Sequence, residues 1–233
     1  ACRQSGKSIA VVAYLLWYAI FKGEQVVGIL ANKEAIAREM LGRITLMLEN
    51  LPFFLQPGCN ALNKKSIGFS NNSRIIAAAT SSSSIRGMSL NLVYLDEFAF
   101  VDNAAEFYTS TYPVISSGKT SKIIITSTAN GIGNMFHKLY EGALQGTNEF
   151  DATRVDWWDV PGRDEKWRKM TIENTSELQF DQEFGNSFHG TGNTLISADI
   201  LLALRAMNPI EMLNNVKIWN QPEEGHNYLM FVD

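Results

Sequence analysis

Arg3-Gln4-Ser5-Gly6-Lys7-Ser8 runs without a break into the apolar stretch Ile9 to Phe21, and no other juncture restricts the fold of this chain as much. A Gly-Lys-Ser turn opening an apolar helix is the form of a phosphate-binding loop. Backbone N–H groups wrap the anion, the lysine ammonium reaches its outer phosphates, and the serine hydroxyl takes a place on Mg²⁺. The positive end of the following helix faces the same anion. The full pattern carries a glycine five residues before Gly6, where this chain has Ala1, so the loop alone is a weak signal and needs a second element.

A buried helix of this kind also needs a core around it. With 233 residues, 45% of them hydrophobic, and a formal net charge of −4, the chain is long and apolar enough for one substantial domain or one and a part. The mild acidity argues against a nucleic-acid footprint spread over the whole surface. Cys2 and Cys59 form no disulfide framework and read as reduced thiols of a cytosolic protein. Lys7 and the apolar run behind it mimic a signal-peptide core, but the run is too short to span a bilayer and lacks a small-residue cleavage site. Because it is apolar all round, it is expected to be a helix buried on most sides. Both ends read as cut: the start falls inside a motif, and Tyr228 to Asp233 ends an apolar run on a carboxylate.

Strands and helices then alternate. Gln25 to Ala31 reads as a buried strand, Asn32 as a helix cap, and 33–50 as a helix ending at Leu51-Pro52. Ser66 to Phe69 and Arg74 to Ala79 flank the turn pair Asn71-Asn72 and predict a hairpin. A polar loop from Ser81 to Ser84 leads to Arg86-Gly87. Leu92 to Leu95 is a second apolar strand, ending on Asp96-Glu97, and Lys122 to Thr126 is a third, ending in Ser127-Thr128-Ala129-Asn130-Gly131. The expected fold is α/β, a P-loop ATPase core with a largely parallel sheet and ligands at the carboxyl ends of its strands. The core covers 1–153. A small helical subdomain follows at 154–208, and 209–233 begins a further domain.

The second element is Asp96-Glu97, two carboxylates delivered by an apolar strand to the edge that holds the phosphate loop. Asp96 suits Mg²⁺, through water, and Glu97 suits the acceptance of a proton from an attacking water. Arg3 lies inside the loop and either stabilises charge on the γ-phosphate or pairs with a surface carboxylate. Thr126-Ser127-Thr128-Ala129-Asn130-Gly131 sits where a γ-phosphate sensor would lie, or is a polar turn with Asn-Gly chemistry. Asn32-Lys33 starts like a guanine-reading loop, but Ala35 stands where its aspartate must be, so ATP is preferred over GTP. His137, His189 and His226 are too scattered for a zinc site and suit solvated or hydrogen-bonded roles. Trp157, Trp158 and Trp167 lie near Arg163, Lys166, Arg168 and Lys169. They suit packing beside a solvated charged face better than contact with a DNA backbone.

Taken together, the Arg3–Ser8 loop, Val93-Tyr94-Leu95-Asp96-Glu97-Phe98-Ala99-Phe100, Thr126 to Gly131, Val155-Asp156-Trp157, Phe188-His189-Gly190 and Asn193 to Ser197 resemble the large terminase subunit of tailed bacteriophages, in its contractile-tailed myovirus branch. The resemblance spans nearly the whole chain. It implies an ATP- and Mg²⁺-dependent motor that drives double-stranded DNA into a capsid, followed by an RNase H-like endonuclease domain that cuts concatemers. Arg3 would match the family's in-cis catalytic arginine, Glu97 its catalytic carboxylate, and Ser127 to Gly131 its coupling motif. Arg3, Gln4, Ser5, Gly6, Lys7 and Ser8 would bind the ATP phosphates, with Ser8 and Asp96 on Mg²⁺. Asp233 would be the nuclease's first metal-binding aspartate, or a strand-end aspartate without a metal; without further carboxylates no two-metal site forms. The implied partners are DNA, a portal ring, the small terminase subunit and further copies in a ring. The implied setting is the procapsid in the host cytoplasm. A two-domain helicase and a nucleotide-binding switch without turnover are the competing readings; further metal-spaced carboxylates downstream, or a second motor half, would separate them.

Overall fold

The computed structural model describes residues 1–80, 88–116, 121–188, 211–213 and 216–218. The chain divides into two compact units, Ala1–Thr191 and Gly192–Asp233. In the first, helix α1 (Lys7–Phe21) leads to strand β1 (Val26–Ala31) and helix α2 (Glu34–Glu49). Strands β2 (Cys59–Leu62), β3 (Ser66–Phe69), β4 (Arg74–Ala79) and β5 (Leu92–Asp96) come next. Helix α3 (Ala104–Ser116), strand β6 (Lys122–Thr126) and helix α4 (Met135–Leu144) follow, then helices α5 (Glu165–Asn174) and α6 (Glu177–Glu183).

The six strands form one sheet in the order β2-β3-β4-β1-β5-β6. Strands β4, β1, β5 and β6 run parallel, and β3 and β2 extend the sheet antiparallel. The parallel strands are nearly continuous apolar runs because both faces of the sheet are covered. Side chains alternate between the faces. On one, Ile29, Leu92 and Tyr94 pack with Val12 and Leu15 of α1 and Leu41 and Ile44 of α2. On the other, Leu30, Val93 and Leu95 pack with Phe98 and with Phe107 of α3. Gly28 sits where a Cβ would meet the Leu90 side chain at 3.2 Å, so the close approach at the middle of β1 favours glycine.

The β3–β4 hairpin forms as the Asn71-Asn72 pair predicts, with Asn72 at φ 65 and Ser66 opposite Ile76. Strand β2 has no sequence signal: its four residues are all exposed, and it is held by backbone pairing to β3. Two expectations change. Helix α1 is buried on one face only, through Val12, Leu15, Leu16, Tyr18 and Ala19, while Ile9, Trp17 and Phe21 are exposed. Its outer aromatics meet one another instead, Tyr14 stacked on Trp17 at 5.7 Å and Trp17 tilted against Phe21 at 6.4 Å. Asn32 does not cap α2. Lys33 occupies the cap position in an extended conformation, which places Asn32 one residue outside the reach of the first-turn amides and leaves its Oδ1 buried without a partner.

In the helical segment, Trp157, Trp167, Phe180 and Phe184 form one aromatic cluster, with Trp157 and Trp167 at 6.1 Å and Trp167 and Phe184 at 5.2 Å. Trp157 and Trp167 therefore act in packing, while Trp158 is exposed. The second unit contains the antiparallel pair β7 (Glu211–Leu213) and β8 (Val216–Ile218). The Ser81–Gly87 loop, His189, Gly190, the Asn193–Ser197 motif, His226 and Asp233 lie outside the described residues. Among the described residues, no helix is long and apolar enough to cross a membrane.

Candidate active site

The loop Arg3–Ser8 turns through two positive-φ positions, Gln4 at 54 and Gly6 at 81, before α1 begins at Lys7. Open space surrounds the position of a Gly6 Cβ, so this glycine answers to its backbone conformation and not to crowding. The Ser5 hydroxyl donates to Cys2 O at 2.9 Å, closing the loop on itself. The rest of its support comes from far along the chain. Cys2 N–H donates to Val155 O at 2.8 Å and Arg3 N–H to Glu183 O at 2.7 Å.

The strand end is built locally. Tyr94 and Asp96 are two apart on β5 and so share a face, and Thr126 is the register partner of Asp96 on β6. The Tyr94 hydroxyl donates to Asp96 Oδ1 at 2.8 Å and the Thr126 hydroxyl to the same oxygen at 2.6 Å. Asp96 is 3% exposed. A carboxylate at that depth needs such partners. Burial first, and then the Asp96 charge, raise the Tyr94 pKa far above its ordinary value, so the hydroxyl stays protonated as a donor. The Ser8 side chain lies within electrostatic reach of the Tyr94 hydroxyl, which places the loop serine near the aspartate. The sequence places Tyr94 in the apolar strand and Thr126 at the head of the sensor segment, but it does not show that both hydroxyls converge on Asp96.

Glu97 follows in the left-handed conformation, φ 49 and ψ 44, which non-glycine residues adopt at a cost. The turn swings its carboxylate to the loop, where Oε1 meets Lys7 Nζ at 2.9 Å. The other oxygen lies 3.5 Å from the Ser127 hydroxyl and 3.4 Å from the Thr128 N–H. Ser127 Oγ also accepts from Ala99 N–H at 3.2 Å, Asn130 donates to Ala99 O at 2.9 Å, and Asn134 donates to Asn130 O at 2.6 Å. The segment Ser127 to Gly131 is therefore tied to the turn that carries Glu97, with Ala129 buried and Gly131 at φ 72.

Lys7, Ser8, Asp96, Glu97, Ser127 and Thr128 thus come together at the carboxyl edge of the sheet. Arg3 does not join them. Its guanidinium, 60% exposed, pairs with Glu183 of α6 at 3.2 Å. Lys7 also lines a cavity of about 550 Å³ whose walls include apolar Val11, Ile124 and Phe136 and, as further charged residues, Glu149, Asp151 and Arg154. Ser8 and Asp96 offer hard oxygen donors, a set that fits Mg²⁺, a cation that keeps several waters and takes one or two carboxylates alongside substrate phosphates. Among the described residues, no three His, Cys, Asp or Glu side chains cluster as a metal site. His137 Nδ1 accepts from Gly133 N–H at 3.4 Å, and its ring lies edge-on to Phe188.

Residues 1–202 match the family described as terminase large subunit, T4likevirus-type, N-terminal. The chain belongs to that family. Solved structures similar to this terminase chain include the large terminase ATPase domain of Thermus phage P74-26, at a TM-score of 0.65 and 21% identity over 80% of this chain and 86% of that one. The large terminase of bacteriophage HK97 superposes at 0.63 with 18% identity, over 80% of this chain and 45% of that one. The large terminase of a further, thermophilic bacteriophage superposes at 0.64 with 15% identity, over 79% and 46%. The fold is that of a large terminase ATPase domain, and the chain spans about half the length of these last two proteins.

Proposed function

We propose that this chain is the ATP-hydrolysing motor of a terminase large subunit, driving double-stranded viral DNA into a capsid. The observation that carries the reading is the 2.9 Å pair between Lys7 of the loop and Glu97 of the strand end. It unites the two halves of a P-loop hydrolase. Family membership supports it, and so do structures of the thermophilic bacteriophage's large terminase in complex with ADP and with ATP-γ-S.

In this reading the arriving β- and γ-phosphates compete with Glu97 for the Lys7 ammonium. Ser8 and Asp96 would hold Mg²⁺, which neutralises charge on the phosphate oxygens when bound. Once Lys7 turns to phosphate, the freed Glu97 Oε1 accepts a proton from the attacking water, an effect worth about 10² to 10⁴ in rate. The loop amides and the start of α1 hold the phosphates in line. Arg3 reaches the γ-phosphate only by leaving Glu183, so its in-cis role requires a movement of the loop side chain. Ser127 and Thr128, beside Glu97 Oε2, pass the state of that carboxylate to the segment ending at Gly131.

The wider assignment follows the family: a portal ring, a small terminase subunit and sister copies as partners, at the procapsid. Residues 209–233 begin the nuclease domain that cuts concatemers in the full protein. The test is DNA-stimulated ATP hydrolysis by the full protein. Lys7→Ala and Glu97→Gln each abolish it on this account, and undiminished turnover in Glu97→Gln would remove the proposed base.

A further inference from the structure

Arg163 has the look of a surface charge in the sequence, one of several cations among the tryptophans. In the structure its guanidinium donates to Arg3 O at 3.0 Å and Gln4 O at 3.2 Å through one nitrogen, and to Cys2 Sγ at 3.5 Å through another. It lies over the Trp167 ring at 4.7 Å and the Phe184 ring at 5.3 Å. Three acceptors in one short loop, met by one side chain packed on two aromatic rings, make a built contact.

Local turn chemistry sets where that side chain starts. Val160-Pro161-Gly162-Arg163 is a tight turn in which Arg163 N–H donates to Val160 O at 3.2 Å and Gly162 takes φ 83. Proline followed by a positive-φ glycine is the chemistry of a type II turn. Asp164 then caps α5 by accepting from Trp167 N–H at 2.8 Å. Arg163 is thus held between a rigid turn and a helix cap, with its planar fork pre-organised on the rings.

We propose that Arg163 is a positioning residue that sets the phosphate loop's backbone from the helical segment. The inference rests on the phosphate-binding reading of the loop. In a planar trans peptide the C=O and N–H point in opposite directions. Holding the carbonyls of Arg3 and Gln4 toward Arg163 therefore turns the amides of Gln4 and Ser5 away from it. Those amides belong to the backbone that wraps an anion, and the positive φ at Gln4 and Gly6 is the conformation that aims successive N–H groups at one point. The same contact makes the Trp167–Phe184 cluster mechanically continuous with the loop.

The test uses the full protein with Arg163→Ala and Arg163→Lys, reading amide hydrogen exchange at residues 3–7 without nucleotide and the dissociation constant for ADP. Both variants should exchange about tenfold faster in the loop and bind ADP about tenfold more weakly, the scale of one charge-assisted hydrogen bond. Methylguanidinium should restore Arg163→Ala toward wild type, because it refills the space over the rings and bridges the two carbonyls. A purely structural role would lower the melting temperature and leave the loop exchange and ADP affinity of the folded variant unchanged, and that result overturns the proposal. Should Arg163→Ala fail to fold, wild-type loop exchange in Arg163→Lys overturns it equally. Should the wild type bind no ADP, the phosphate-binding reading fails, while loop exchange still decides whether Arg163 sets the backbone.

Discussion

Asp96 is placed by its neighbours in the sheet, with Tyr94 two residues away on the same strand and Thr126 opposite on the next. The loop Arg3–Ser8 is placed by residues far along the chain, Arg163 lying 160 positions from Arg3 and Glu183 lying 180. The strand end is buried and fixed by register. The loop is largely exposed and fixed by a handful of long-range hydrogen bonds. The carboxylates therefore share the stability of the sheet, whereas the loop's shape depends on how the helical segment is held. On the proposed function, this division would leave the Mg²⁺-side aspartate anchored in the sheet and the phosphate loop anchored to the helical segment.

Weakening the strand side should cost stability first. Leu95→Ala empties a fully buried position between β1, β6 and the Phe98–Phe107 cluster, and should destabilise the chain by about 2–5 kcal/mol in urea denaturation. A loss under about 1 kcal/mol would mean that the sheet does not anchor the site. Tyr94→Phe sharpens the comparison by deleting one hydroxyl. The Mg²⁺ concentration for half-maximal nucleotide binding should rise about tenfold, the scale of losing a partner behind a metal ligand, while the fold loses only about 1 kcal/mol. An unchanged Mg²⁺ requirement would assign Tyr94 to packing alone. Glu183→Ala should have the smallest effect. Its pair with the exposed Arg3 is worth at most about 1 kcal/mol, and the backbone bond from Arg3 N–H to Glu183 O survives the substitution. A large loss of stability there would show that the loop is anchored through the side chain of Glu183.

The two regions also differ in how far the sequence reveals them. Strands β1 and β5 are legible because parallel strands buried on both faces are written as apolar runs; half-buried β6 at the sheet edge carries a similar run, and β5 and β6 end on polar residues that mark the site edge. Lys7 and Glu97 are legible because each sits at a recognisable punctuation point, a glycine turn or a strand end. Strand β2 is not, since an exposed edge strand held by its backbone places no demand on side chains. The apolar surface of α1 overstates its burial, because composition reports what a face tolerates and not what covers it. Arg163 and Glu183 are illegible for a different reason: contacts 160 and 180 residues apart leave no local pattern, and an arginine bound to carbonyls looks the same in sequence as one bound to water.

The central claim is that Glu97 acts on water at a phosphate held by Lys7. The most direct measurement is single-turnover hydrolysis of pre-bound γ-labelled ATP by the full protein carrying Glu97→Gln. The account predicts that ATP is bound about as well as by the wild type while phosphate release slows by about 10² or more. Hydrolysis of the bound ATP at the wild-type rate would contradict it.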